Sequence, residues 1–144
     1  MDASILKTRI LVVDDDEDYR ILLRHHLERV GYEVIESSDG DKAYALLRSE
    51  PVRLVILDVV MPKTEGLETI MRLRREGFGA KILAVSGAGG ATAYLKAAVL
   101  LGADAALDKT RPVTELLTVV EQCTEDANGV SAAKTRESTA DKKY

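Results

Sequence analysis

Leu54-Val55-Ile56-Leu57-Asp58-Val59-Val60-Met61-Pro62 is the stretch on which the fold turns. Four apolar residues in succession, with no polar alternation, describe a strand covered on both faces, as in a parallel sheet packed between helices. The run stops at Asp58. Pro62 biases Met61 away from helical backbone, so Val59 to Met61 form a loop at the carboxyl end of that strand.

The same grammar repeats on either side. Upstream, Ile10-Leu11-Val12-Val13 is apolar at every position and is ended by Asp14-Asp15-Asp16. Downstream, Lys81 to Val85 leads into Ser86-Gly87-Ala88-Gly89-Gly90. Shorter strands are expected at Tyr32 to Ile35 and Ala103 to Leu107. Between them lie helical patterns: Glu17 to Val30, capped by Asp16 and closed by Gly31; Asp41 to Ser49, after the cap and turn residues Ser37-Ser38-Asp39-Gly40; Gly66 to Glu76; and alanine-rich Ala91 to Leu101, closed by Gly102. Pro112 fits the first turn of a last helix carrying Leu116, Leu117, Val120 and Cys123. Five β-α pairs in one domain, without an internal repeat, predict an α/β fold with a parallel sheet wrapped by helices. The domain is expected over residues 9–124, with an N-terminal extension at 1–8. A C-terminal tail at 125–144, where the apolar periodicity ends, is expected to be disordered.

Bulk composition narrows the class. The 144 residues carry a formal charge of −4, with 46% hydrophobic and 31% charged side chains, an ordinary globular mix. A mildly acidic domain with no basic stripe is poorly suited to gripping nucleic acid directly. The lone Cys123 excludes an internal disulfide framework and fits a reducing compartment. Neither a signal peptide nor an apolar run near the ~20 residues of a membrane span is visible, so a cytoplasmic protein without membrane insertion is expected.

The chemistry gathers just past the strands: Asp14-Asp15 after the first, Asp58 after the third, Ser86 after the fourth, Asp108-Lys109 after the fifth. Ligands of open α/β sheets bind outside the carboxyl ends of the strands, where the strand order reverses. If the first strand is followed outward in both directions, the first and third strands become neighbours and their carboxylates meet. Clustered carboxylates raise one another's pKa, and a hard divalent cation resolves the conflict. Asp58 then suits a nucleophile that forms an aspartyl-phosphate, with Lys109 stabilising charge and Ser86 donating a hydrogen bond to the phosphoryl group.

From about Arg9 to Thr124 the chain resembles the receiver domain of two-component response regulators, the family that includes the chemotaxis protein CheY. The resemblance rests on Ile10 to Asp15, Leu54 to Pro62, Ala84-Val85-Ser86-Gly87, and Gly102-Ala103-Asp104 running to Lys109. It implies a flavodoxin-like, doubly wound sheet in the order 2-1-3-4-5 with five helices. It also implies phosphorylation of Asp58 by a histidine kinase or a histidine phosphotransfer protein. Asp14 and Asp15 match the acidic pair that binds Mg²⁺ (or Mn²⁺), Asp15 directly and Asp14 through water, with the Val60 backbone carbonyl as a further ligand. Ser86 and Lys109 match the hydroxyl and ammonium that face the phosphoryl group. The reading is a stand-alone phosphoacceptor switch, not a metabolic enzyme.

Departures from the family pattern accompany the match. Ala106 stands where an aromatic residue usually sits three positions before the lysine. Lys109-Thr110-Arg111-Pro112 replaces an immediate Lys-Pro, so a differently set loop is expected. Val60 and Ala88 cannot orient a water, which predicts slow loss of the phosphoryl group. The fourth helix is apolar on nearly all sides, with Leu100 near its outer face. The side formed by the fourth helix, fifth strand and last helix is therefore read as a surface for a downstream protein or a homodimer. The competing reading is a degenerate receiver that acts as a phosphorylation-independent docking module. A metal-dependent phosphatase is set aside because Val60 stands where such enzymes place a second aspartate. His25-His26 are read as a surface residue beside a partly buried one, and Cys123 as packing.

Overall fold

The computed structural model describes residues 7–61, 66–87 and 91–126. Strands β1 (Arg9–Val13), β2 (Glu33–Ser37), β3 (Leu54–Asp58), β4 (Lys81–Ser86) and β5 (Ala105–Asp108) alternate with helices α1 (Glu17–Arg29), α2 (Gly40–Ser49), α3 (Gly66–Arg75), α4 (Ala91–Leu101) and α5 (Val113–Asp126). The strands form one parallel sheet in the order β2-β1-β3-β4-β5. The flavodoxin-like topology expected from the resemblance is thus the observed one.

Period-two alternation divides each strand between two cores. Leu11, Val13, Val55, Leu57, Ile82 and Ala84 pack with Ala43 and Leu47 of α2, Ile70 and Leu73 of α3, and Ala98 of α4. Ile10, Val12, Leu54, Ile56, Leu83 and Val85 face the other way, onto Leu23 and Leu27 of α1 and Leu116, Val120 and Cys123 of α5. Apolar burial on both faces explains why the strands read as unbroken hydrophobic runs. Cys123 is a buried packing residue, as expected.

Two strands begin and end elsewhere than the apolar runs suggested. β2 continues to Ser37, because Glu36 is held by Arg20 and Arg24 and the Ser37 carbonyl accepts the Asp14 amide at 3.1 Å. β5 begins only at Ala105. Ala103 is used to close α4 instead: its amide donates to the Ala98 carbonyl at 2.9 Å, next to Gly102 at φ +130°. Pro112 is the residue before α5 rather than part of its first turn, its carbonyl accepting the Glu115 and Leu116 amides. At the other end α5 runs to Asp126, two residues past the expected boundary of the domain. Most of the expected disordered tail, like the first six residues, lies outside the described residues. His25 is exposed and His26 half-buried. Among the described residues no helix is long and apolar enough to cross a membrane.

Candidate functional site

Sheet register carries the site residues to one line. Val13 pairs with Leu57, Asp58 with Val85 and Ser86 with Asp108, so each candidate is the last paired residue of its strand or the one after it. Asp14, Asp58, Ser86 and Lys109 therefore stand side by side at the carboxyl edge, where the chain leaves β1 and β3 toward opposite sides of the sheet.

The carboxylates of Asp14, Asp15 and Asp58 offer oxygens that all lie within 4.8 Å of one another. Asp14 and Asp58 are buried, at 1% and 5% exposure, while Asp15 faces solvent. Asp14 Oδ1 accepts the Asp16 amide at 2.9 Å. Asp58 Oδ1 accepts the Val60 amide at 2.9 Å, and its Oδ2 accepts Lys109 Nζ at 3.1 Å. The same ammonium lies 2.7 Å from Asp14 Oδ2. Burial pushes the Asp14 carboxyl up to about 6, helped by the Asp58 charge, and the lysine only partly offsets this. Burial alone would lower Lys109, but the two aspartates outweigh it and hold the ammonium above its ordinary range.

A cavity of about 400 Å³ opens beside these groups, lined by Asp16, Asp58, Val60, Ser86, Gly87, Lys109 and Thr110. Ser86 Oγ is fully buried and has no hydrogen-bond partner among the described residues. An unsatisfied buried hydroxyl costs about 1–3 kcal/mol, so its persistence at this edge fits a donor kept for an incoming acceptor.

Asp16 performs the capping role expected of it, accepting the Tyr19 amide at 3.3 Å. The loop after Lys109 is closed by Asp108, whose Oδ1 takes the Thr110 amide and hydroxyl, each at 2.8 Å. These bonds hold the Asp108 carboxyl below its ordinary range. Ala106 is half-buried and packs with the α2–α4 core. Ala88, expected to bear on phosphoryl loss, lies outside the described residues.

Four residues were given no part in the site by the sequence reading. Arg20 Nη1 donates to the Asp14 carbonyl at 2.5 Å while its Nε is paired with Glu36, which braces the acidic loop from behind. Gly66 starts α3 directly against the Asp58 peptide, leaving no space for a Cβ. A Cβ at Gly87 would come within 3.3 Å of the Lys109 stem. Tyr19 places its ring under Lys109 Nζ, 4.4 Å from the ring centroid. For Arg20 and Tyr19 the only sequence signal was their place in the first turns of the helix after the acidic run.

An acidic pocket with a facing lysine, at the switch point of a 2-1-3-4-5 sheet, defines the class of CheY-like switch domains. The model of the response regulator receiver domain matches residues 10–121, and the chain belongs to that family. It is 44% identical over 71 residues to the alkaline phosphatase synthesis transcriptional regulatory protein PhoP of Bacillus subtilis, covering 49% of this chain and 30% of that one. To the response regulator MprA of Mycolicibacterium vanbaalenii it is 38% identical over 135 residues, covering 90% of this chain and 58% of the other. The matches thus span only part of these relatives. Among solved structures, a CheY-like receiver domain protein from Methanospirillum hungatei matches with a TM-score of 0.75 and 26% identity, covering 84% of this chain and 96% of that one. A response regulator from Burkholderia pseudomallei, solved with a phosphorylated aspartic acid, calcium ion and citrate, matches with a TM-score of 0.71 and 28% identity. That match covers 96% of this chain and 76% of the neighbour.

Proposed function

We propose that the domain is a phosphoacceptor switch that receives a phosphoryl group on Asp58 from the phosphohistidine of a histidine kinase or a histidine phosphotransfer protein. A carboxylate oxygen of Asp58 attacks phosphorus, the P–N bond to the donor imidazole breaks, and the imidazole leaves with a proton. One observation carries the reading: Asp58 lines a cavity shared with Lys109 and with a buried Ser86 hydroxyl that has no hydrogen-bond partner among the described residues. Lys109 would neutralise charge on the transferred group, and Ser86 would donate to one of its oxygens.

Asp14, Asp15 and Asp58 suit Mg²⁺ (or Mn²⁺), since three carboxylate oxygens within 4.8 Å form the hard-oxygen donor set that such ions take. The Val60 backbone carbonyl is a candidate fourth ligand. When bound, the ion would neutralise the acidic cluster and polarise a phosphoryl oxygen.

Output would pass through protein contacts, either to a downstream target or to a second copy through the α4-β5-α5 face. Leu100, 86% exposed on α4, supports that surface. PhoP of Bacillus subtilis is a transcriptional regulatory protein, but the net charge of −4 supports no direct grip on nucleic acid by this domain. Val60 offers no polar side chain to orient a water, so loss of the phosphoryl group should be slow.

The test is incubation with Mg²⁺ and acetyl phosphate, followed by intact mass, with Asp58→Asn alongside. One phosphoryl group gained only with both Mg²⁺ and Asp58 is the expected result. No gain, together with no Mg²⁺ binding, would favour the phosphorylation-independent docking module.

A further inference from the structure

We propose that Tyr19 is a positioning residue for phosphoryl transfer to Asp58, its ring face holding the Lys109 ammonium between the two buried aspartates. The inference rests on the phosphoacceptor reading of Asp58 and extends it to a residue outside the acid, hydroxyl and lysine set. A lysine is a point charge on a flexible four-carbon stem, so something must keep it on target. Among the described residues Nζ meets Asp14 Oδ2 at 2.7 Å, Asp58 Oδ2 at 3.1 Å and the Tyr19 ring centroid at 4.4 Å. The lysine side chain is only 17% exposed, which leaves little water to compete with the ring.

Local structure sets the ring in place. Asp16 caps α1 by accepting the Tyr19 amide, and the half-buried ring packs with the α1–α5 core. Gly87 lets the lysine stem lie close to the chain, since even a Cβ there would stand 3.3 Å from Lys109 Cβ and Cδ. The two aspartate contacts are the ones that a phosphoryl group or a divalent ion would disturb: the ion competes with the ammonium for the carboxylates, and the phosphoryl group, once bonded to Asp58, draws the ammonium to its own oxygens. The ring contact needs no exchange. It can hold the ammonium in the pocket while its anionic partners change.

The experiment compares wild type, Tyr19→Phe and Tyr19→Leu. Phe keeps the ring face, whereas Leu keeps apolar bulk without it. With Mg²⁺ and acetyl phosphate, Tyr19→Leu should phosphorylate about fivefold more slowly, the size of one partly desolvated cation–π contact, and Tyr19→Phe should stay near wild type. Melting temperature should fall by only a few degrees, the cost of the lost ring contact, and Mg²⁺ affinity should hold or rise slightly. In NMR spectra the Lys109 ε-methylene protons, assigned with Lys109→Ala, should carry a ring-current shift in wild type and Tyr19→Phe that is lost in Tyr19→Leu.

Equal rates in all three proteins would overturn the proposal. So would a Phe variant as slow as Leu, which would assign the effect to the hydroxyl, or a Leu variant whose melting temperature and Mg²⁺ affinity fall together with its rate. A wild-type protein that gains no phosphoryl group at all would overturn the phosphoacceptor reading, and this inference with it.

Discussion

Lys109 Nζ stands closer to Asp14 Oδ2, at 2.7 Å, than to Asp58 Oδ2, at 3.1 Å. The lysine therefore serves as counter-ion to Asp14 as much as to Asp58. A divalent cation bound there must share Asp14 with that ammonium. Removing the lysine should then strengthen metal binding, by about tenfold for one unit charge screened at the edge of the protein. Lys109→Met titrated with Mg²⁺ by calorimetry checks this, and the same variant should be severely slowed in accepting phosphate. Unchanged or weaker Mg²⁺ affinity would show that the lysine and the metal do not compete.

Gly66 and Asp58 meet backbone to backbone, and a methyl on Gly66 would overlap the Asp58 carbonyl oxygen and the Val59 Cα. Helix propensity alone predicts that Gly66→Ala stabilises α3 by up to about 1 kcal/mol. Overpacking against fixed backbone costs about 1–3 kcal/mol and should win. The expected outcome is a net loss of about 2 kcal/mol in urea unfolding, with slower phosphorylation of Asp58. A stabilised variant would mean that the loop before α3 yields freely.

Glu36 is paired with Arg20 at 2.9 Å and Arg24 at 2.6 Å. Burial raises its pKa, but the two guanidinium groups outweigh burial and hold the carboxyl below its ordinary value of 4.5. A depressed carboxyl stabilises the fold above the unfolded value, and that contribution is lost as the pH falls through the folded one. Glu36→Gln should therefore cost about 1 kcal/mol at pH 7, a figure discounted because Arg24 is 37% exposed. The gap between variant and wild type should close as the pH drops below about 4.5. Urea unfolding at several pH values measures it, and a gap independent of pH would contradict the ion-pair account.

Arg74 ties together the opposite pole of the sheet. It donates to the carbonyls of Gly102, Phe78 and Ala80 at 2.9, 3.0 and 3.0 Å, and to Asp104 Oδ2 at 2.8 Å. Asp104 Oδ2 in turn accepts the Ile82 amide at 2.9 Å. Arg74→Ala should destabilise by about 2–3 kcal/mol, since several half-buried acceptors lose their donor at once. Arg74→Lys should recover less than half of that, because an ammonium cannot fork to the same set. Mg²⁺ affinity should be unaffected in both, because the clamp lies at the amino ends of β4 and β5, away from the acids.

By itself, the sequence determined the alternation of buried strands and amphipathic helices, and the residue type that ends each strand. Both are local properties: unbroken apolar runs need a two-sided core, and a charged residue cannot continue into one. Asp14, Asp58, Ser86 and Lys109 were legible for that reason, and Leu100 was legible because an all-apolar helix must show something to solvent. Polar residues that pair across the sheet were not legible. Glu36 extends β2 only because Arg20 and Arg24 reach it from α1, and Ala103 leaves β5 because it closes α4.

Only the tertiary structure decided how far apart the chemical groups stand. Parallel register sets the four strand ends level and brings Lys109 to both buried aspartates across 95 and 51 positions of chain. The same packing slides the Tyr19 ring under the ammonium and presses Gly66 onto the Asp58 peptide. These relationships depend on how helices seat on the sheet, which no local pattern encodes, because each is a contact between residues whose own neighbourhoods say nothing of one another.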